Sequence, residues 1–190
     1  MLKTTIIPEM MEKRKKERKL TIWSNACSSG QEPYTIAMLL LDSFPELRNW
    51  NVTIHATDLS NQILTKARSG IYNQTEVNRG LPMQLLMKYF VRDGMQWKIK
   101  DDIRDMIQFS ELNLIERFPR QFQGLDIVFL RNVLIYFCPE TKTDILNRVD
   151  SSIASDGCLF LGGSESMMNI CDRFDRELIN KAVFYRPKSN

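Results

Sequence analysis

Two carboxylates stand where a nucleotide-binding fold would use them. Glu32 lies in NACSSGQEPYTIA (25–37), between the apolar run LTIW (20–23) and a segment with helical periodicity. Asp58 follows a second apolar run, VTIHA (52–56). A carboxylate just past a strand can accept both hydroxyls of a ribose. The loop before Glu32 has the place of a phosphate cradle, yet it holds one glycine, Gly30. The close backbone approach of a pyrophosphate calls for a glycine-rich fingerprint, which is absent. Glu32 also puts negative charge where a phosphate would sit. A nucleoside with a cationic or amino-bearing arm suits the site better, and S-adenosylmethionine, with a sulfonium, an α-amino group and no phosphate, meets that description. From position alone, Glu32 is equally an ordinary first-turn acid interacting with the helix dipole.

The elements that must position these groups follow from periodicity and turn chemistry. LTIW reads as a short buried strand. Pro33 suits the first turn of the helix after it, with Ile36, Leu39, Leu40 and Ser43 on one side and Pro45 closing it. Ser60 can cap a further helix, with Ile63, Leu64 and Ala67 sharing a face and Gly70 ending it. LDIVFL (125–130) is nearly all apolar, as expected of a central parallel strand covered on both faces. Pro139 opens a helix with Ile145, Leu146, Val149 and Ile153 on one face, and Asp156-Gly157 reads as a turn into CLFLG (158–162). AVFYR (182–186) reads as an edge strand. The alternation argues a doubly wound α/β fold with a mostly parallel sheet. Asp93-Gly94 signals a hairpin, and YFVRDGMQWKIKDDIRDMIQF (89–109) reads as a small antiparallel insertion.

In such a sheet ligands bind beyond the carboxyl ends of the strands. SNACSSGQEP, TDLS, RNVLIYF and GSES all fall there, and FSELNL (109–114) is expected to reach the same edge. Ser164 and Glu165 take a supporting role. His55 lies within a strand and reads as structural.

Bulk properties exclude several classes. A net charge of +3 argues against a dedicated nucleic-acid binder. Four cysteines without a CxxC pair, and one histidine, make a zinc site unexpected, and reduced structural thiols are expected. No apolar run reaches the length of a membrane span, and a cytoplasmic chain is expected. The basic run within EMMEKRKKERK (9–19) reads as the solvated end of a helix or as a patch for an acidic partner. The methionine pairs 10–11 and 167–168 read as core filling.

ACSSGQEPYTIA, ATDLSNQILTKARSGIY, FSELNL, DIVFLRNVLIYF and GCLFLGGSES, in this order and spacing, resemble the catalytic domain of the chemotaxis receptor methyltransferases of CheR type. The likeness runs over about residues 20–166. It implies a Rossmann-like methyltransferase sheet that binds S-adenosylmethionine, releases S-adenosylhomocysteine, needs no metal, and methylates glutamates on the cytoplasmic domain of chemoreceptors. Carried over by position, Glu32 would hold the methionyl amino end and Asp58 the ribose. Asn113 and Leu114 would flank the adenine, Leu130 and Arg131 would line the cofactor pocket, and Arg131 and Tyr136 would face the reacting groups. A methyltransferase domain over 20–190, a preceding helix over 1–19, and a monomer are expected. The family's N-terminal helical domain, with an arginine and a threonine that close over the cofactor, finds no match here. DGMQW is too short for the glycine-rich loop of members that dock a receptor pentapeptide, so no tight tether is expected. Two other classes stay open: a non-catalytic module binding the adenosyl ligand or a receptor, and a nicotinamide oxidoreductase, which the single-glycine loop disfavours.

Overall fold

The apolar runs become the strands of one sheet. The computed structural model describes residues 1–188. A π-helical turn, Leu2–Ile6, leads into α1 (Ile7–Lys13), and β1 (Lys19–Asn25) is followed by α2 (Gln31–Ser43). Next come β2 (Asn51–Asp58), α3 (Asn61–Ser69), β3 (Ile71–Asn73), α4 (Gln74–Val77) and α5 (Met83–Tyr89). The hairpin β4 (Phe90–Asp93) and β5 (Gln96–Ile99) precedes α6 (Asp101–Arg104) and β6 (Ile107–Glu111). The chain ends with β7 (Leu125–Leu130), α7 (Pro139–Asp150), β8 (Ile153–Leu161), β9 (Phe174–Ile179) and β10 (Ala182–Pro187).

Seven strands form the main sheet in the order β6-β2-β1-β7-β8-β10-β9. The first five are mutually parallel, and β10 runs antiparallel to both of its neighbours. The order reverses between β1 and β7, whose ends Asn25 and Leu130 lie side by side. That is the topological switch point, where the crevice of a doubly wound sheet opens.

Strand alternation divides the core in two. Ile22, Ile127, Phe129, Cys158 and Phe160 pack with α1 and α2, while Trp23, Val128, Leu130, Leu159 and Leu161 pack with α7. Both faces of β7 are therefore covered, and all six of its residues are buried, as its apolar run requires. Ser60 caps α3 and Gly70 ends it at φ 61°, both as its sequence indicates. His55 is buried in β2 against the ring of Phe122, and burial holds its pKa down, which fits a structural residue. Met10 and Met167 fill the core, whereas Met168 is exposed.

Four expectations need correction. The small antiparallel sheet has the order β3-β5-β4, so it begins at Ile71 and ends at Ile99 rather than spanning 89–109. Ile107–Glu111 instead pairs parallel with β2 at the edge of the main sheet. β3 has three residues, too few for alternation to show. AVFYR is an inner strand, because FDRELI forms β9 outside it; Asn180 and Lys181, at φ 49° and 66°, make the tight turn that joins them. Charged residues on an edge strand discourage pairing with other chains, so Asp175, Arg176 and Glu177 suit its place. Asp156-Gly157 lies inside β8, opposite an irregularity between Leu125 and Ile127. A Cβ at Gly157 would stand 2.9 Å from the carbonyl oxygens of Leu125 and Asp126, so glycine permits the close approach. Ile153 consequently opens β8 and does not extend α7.

Candidate functional site

Three loops meet at the switch point. The first runs from Asn25 to Gly30. It lacks a glycine-rich sequence but turns as one would, with Ala26, Ser28 and Gly30 at φ 48°, 50° and 91°. Left-handed conformations at non-glycine residues cost about 1–2 kcal/mol each, so the surroundings must hold them. They do so from both sides: Cys27 N–H donates to Thr57 O (2.9 Å), Ser28 N–H to Asp58 Oδ2 (2.9 Å), and Tyr72 OH to Ser29 O (2.7 Å). Tyr72 belongs to β3, so the small sheet braces this loop. Cys27 is buried here, and its thiol is pushed up to about 12 by burial, with the Asp58 charge adding to it.

Asp58 ends β2 half-exposed. Its second oxygen accepts from Ser60 N–H (3.1 Å). A carboxylate offers about four lone-pair positions, so two bonds to main-chain donors orient Asp58 and leave each oxygen able to accept again. That is the arrangement a vicinal diol requires.

Glu32 sits in the first turn of α2. It is the dipole-facing acid its position suggests, and more: Oε1 accepts from the buried Ser24 hydroxyl (2.8 Å), and Oε2 accepts from Arg131 Nη1 (2.7 Å). Arg131 follows β7, so this ion pair spans the switch point. The two side chains are 23 % and 43 % exposed. A pair this open contributes little to stability, on the order of 0–1 kcal/mol, and is readily exchanged for a ligand.

The remaining expected residues divide. Asn113 is half-buried beyond β6, and its side chain stabilises its own turn through Ile115 N–H (3.3 Å) and Glu116 (3.1 Å). Leu114 and Leu130 point into the core beside Trp23. Any part Leu114 or Leu130 takes in the site is therefore played by its main chain. Tyr136 closes a short 3-10 turn, Leu134–Tyr136, and is 78 % exposed. It stands out from the surface beyond the carboxyl end of β7.

Glu165, expected to take a supporting role, has a larger part. Its Oε2 accepts from the main-chain N–H groups of Asn132 and Gly162 (both 2.7 Å). Its Oε1 accepts from Val133 (3.0 Å), Leu134 (2.8 Å) and Ile135 (3.4 Å). One carboxylate thus fixes the whole turn between Arg131 and Tyr136, including Asn132 at φ 57°. Gly162 is glycine for the same reason, since a Cβ there would stand 2.3 Å from Asn132 Oδ1 and 2.7 Å from Glu165 Oε2. The available signal was an acid three residues past the glycine that ends a parallel strand.

Residues 1–183 match the family described as CheR methyltransferase, SAM binding domain. The chain belongs to this family. Chemotaxis protein methyltransferase 1 of Pseudomonas aeruginosa is 40 % identical over 192 residues, spanning 98 % of this chain and 69 % of that protein. Chemotaxis protein methyltransferase Cher2 of Pseudomonas putida is 38 % identical with the same coverage. A TehB-like SAM-dependent methyltransferase from Corynebacterium glutamicum superimposes with a TM-score of 0.56 over 98 % of this chain and 87 % of its own; at 10 % identity it speaks for the fold alone.

The side chains of this CheR-family domain fit the nucleoside. Asp58 keeps free acceptor positions for ribose hydroxyls, and Glu32 offers an anionic oxygen to an ammonium at the switch point. Among the described residues no three His, Cys, Asp or Glu side chains gather as a metal site would need. No helix among them is long and apolar enough to cross a membrane.

Proposed function

We propose that this CheR-family domain transfers a methyl group from S-adenosylmethionine to glutamate side chains on the cytoplasmic domain of chemoreceptors, giving glutamate methyl esters and S-adenosylhomocysteine. The observation that carries the reading is the meeting of Glu32 and Arg131 across the switch point with Asp58 alongside. When bound, S-adenosylmethionine supplies an electrophilic methyl on a sulfonium, and passage of that methyl to a carboxylate oxygen leaves a neutral ester and a thioether.

A free glutamate has a pKa of about 4.3 and is ionised at neutral pH, so no strong general base is needed. This agrees with a rim that carries no Ser-His-Asp set. Catalysis then rests on holding the nucleophile in line, at roughly 3–3.5 Å, and on electrostatics matched to a transition state in which both charges fade. Asp58 binds the ribose and Glu32 the methionyl amino group, with Asn113 and Leu114 beside the adenine. Arg131 is the group suited to orient the substrate carboxylate, because its planar fork matches one bidentately. Its pairing with Glu32 keeps its hold on that carboxylate moderate, which favours turnover, since the charge it grips is neutralised in the reaction. Tyr136 presents its hydroxyl to the carboxylate or the methyl.

The test is transfer of radiolabelled methyl from S-adenosylmethionine to receptor-bearing membranes, with the label released as methanol by mild base. The proposal expects base-labile label on the receptor in the parent chain and far less in Asp58→Ala at limiting S-adenosylmethionine. Binding of S-adenosylhomocysteine without transfer would instead favour a non-catalytic binding module.

A further inference from the structure

Beside Arg131, a groove lies between the end of β8 and the start of β10. Gly162, Gly163 and Val183 line it together with Arg131, Arg176 and Lys181. We infer that this groove holds an acidic stretch of the protein substrate flanking the reacting glutamate, read by Arg176 and Lys181. The inference rests on the methyl-transfer reading above and adds to it the feature that selects the substrate segment.

Three observations support it. First, the other arginines around this hairpin are occupied. Arg173 pairs with Asp150 (3.7 Å), and Arg186 pairs with Glu9 (2.6 Å) and Glu177 (3.1 Å). Arg176 and Lys181 are exposed, and among the described residues no ion pair engages them. Second, strand alternation puts Arg176 on the opposite face of β9 from Asp175 and Glu177, so the strand's own acids do not neutralise it. Third, the carboxylate that lines the groove, Glu165, accepts five main-chain N–H groups and is turned into its loop. Three cationic side chains against one carboxylate leave the groove a net positive lining, and that lining includes the arginine suited to the reacting carboxylate.

A glutamate delivered on a helical segment has its i±3 and i±4 neighbours about 5–6 Å away along one face. Acidic residues at those positions would lie along the groove as the reacting one reaches Arg131. Rim charges of this kind act on encounter and register rather than on the chemical step.

The experiment is the double charge reversal Arg176→Glu with Lys181→Glu, assayed against receptor-bearing membranes. KM for the receptor should rise about tenfold at low salt, with kcat and S-adenosylhomocysteine affinity within about twofold of the parent. Added salt should shrink the difference, because exposed charges are screened over about 8–10 Å at moderate ionic strength. Fluorescence anisotropy of a labelled alanine–glutamate peptide gives a readout independent of turnover. The peptide should bind the parent more tightly than the reversed variant, and its alanine–glutamine counterpart should bind neither. Equal KM values, or a glutamate peptide that binds both proteins alike or binds neither, would overturn the inference. A parent without methyl transfer would sink the proposed function, and the peptide would still decide the groove.

Discussion

Two groups of carboxylates occupy opposite ends of the same sheet. At the amino end, Asp126 in β7 and Asp156 in β8 close around Arg14, which reaches in from just past α1. Arg14 Nε donates to Asp126 (2.7 Å), and its two terminal nitrogens grip Asp156 in a fork (2.6 and 2.9 Å). Asp126 also accepts Thr21 N–H (2.7 Å). At the carboxyl end, Asp58 and Glu165 are held by main-chain amides, and Glu32 accepts from the Ser24 hydroxyl and shares an open pair with Arg131. The residue type is the same; the partner differs. A guanidinium satisfies a carboxylate's charge and geometry together, so the amino-end cluster ties three elements and offers nothing further. Main-chain amides orient a carboxylate but leave its net charge in place. At Asp58 they also leave acceptor positions open.

The titration of the amino-end pair reflects this. Burial pushes the Asp126 carboxyl up, against the Thr21 N–H and the Arg14 charge, while hydrogen bonds from Arg14 hold Asp156 below its ordinary value. The shifts oppose because Asp126 is buried and Asp156 is about one-third exposed. Geometry decides the state of Asp126: an arginine Nε–H and a main-chain N–H, both at 2.7 Å, suit the carboxylate form.

Five substitutions separate the two ends of the sheet. The largest effect is expected for Arg14→Ala, which leaves Asp126 buried and unpaired. Urea unfolding should show a loss of about 3–5 kcal/mol with S-adenosylhomocysteine affinity unchanged. A loss below about 1 kcal/mol would remove the distinction between the two ends. Asp58→Ala should do the reverse, weakening S-adenosylhomocysteine about 100-fold by calorimetry, or about 2.7 kcal/mol, with a much smaller change in stability. Glu165→Gln exchanges one acceptor oxygen for a donor facing main-chain N–H groups. It should cost about 1–3 kcal/mol of stability in the same unfolding assay and slow methyl transfer well below the melting transition. Tyr136→Phe, at an exposed position, should lower kcat about tenfold, or about 1.4 kcal/mol, while leaving stability and ligand affinity alone. The smallest effect belongs to Asp156→Asn. The folded pKa of Asp156 lies below its ordinary 3.8, so its stabilising contribution is complete above that value and fades as the pH falls through the folded one. The stability gap between parent and variant should therefore be constant near neutrality and close below pH 3.8.

The legibility of the sequence differed between the same two regions. Asp58 and Glu32 stand out in the sequence because each lies in the loop or first helical turn after an apolar run, and the strand, cap and turn signals around them are local. The clamp formed by Glu165 and the cluster around Arg14 were not legible in this way. Glu165 binds amides some thirty residues earlier in the chain, and Arg14 sits in a basic run whose composition suggests only solvent. Their partners are set by tertiary folding, which leaves no periodic mark. The same holds for β3 and β9: one is three residues long and the other is half charged.

The central claim is that the carboxyl edge of this sheet binds an adenosyl sulfonium ligand through Asp58 and Glu32. A crystal structure with S-adenosylhomocysteine tests it most directly. Ribose hydroxyls are expected within hydrogen-bonding distance of both Asp58 oxygens, with the amino group against Glu32. A ligand bound elsewhere, or seated there with Asp58 turned away from the sugar, would contradict it.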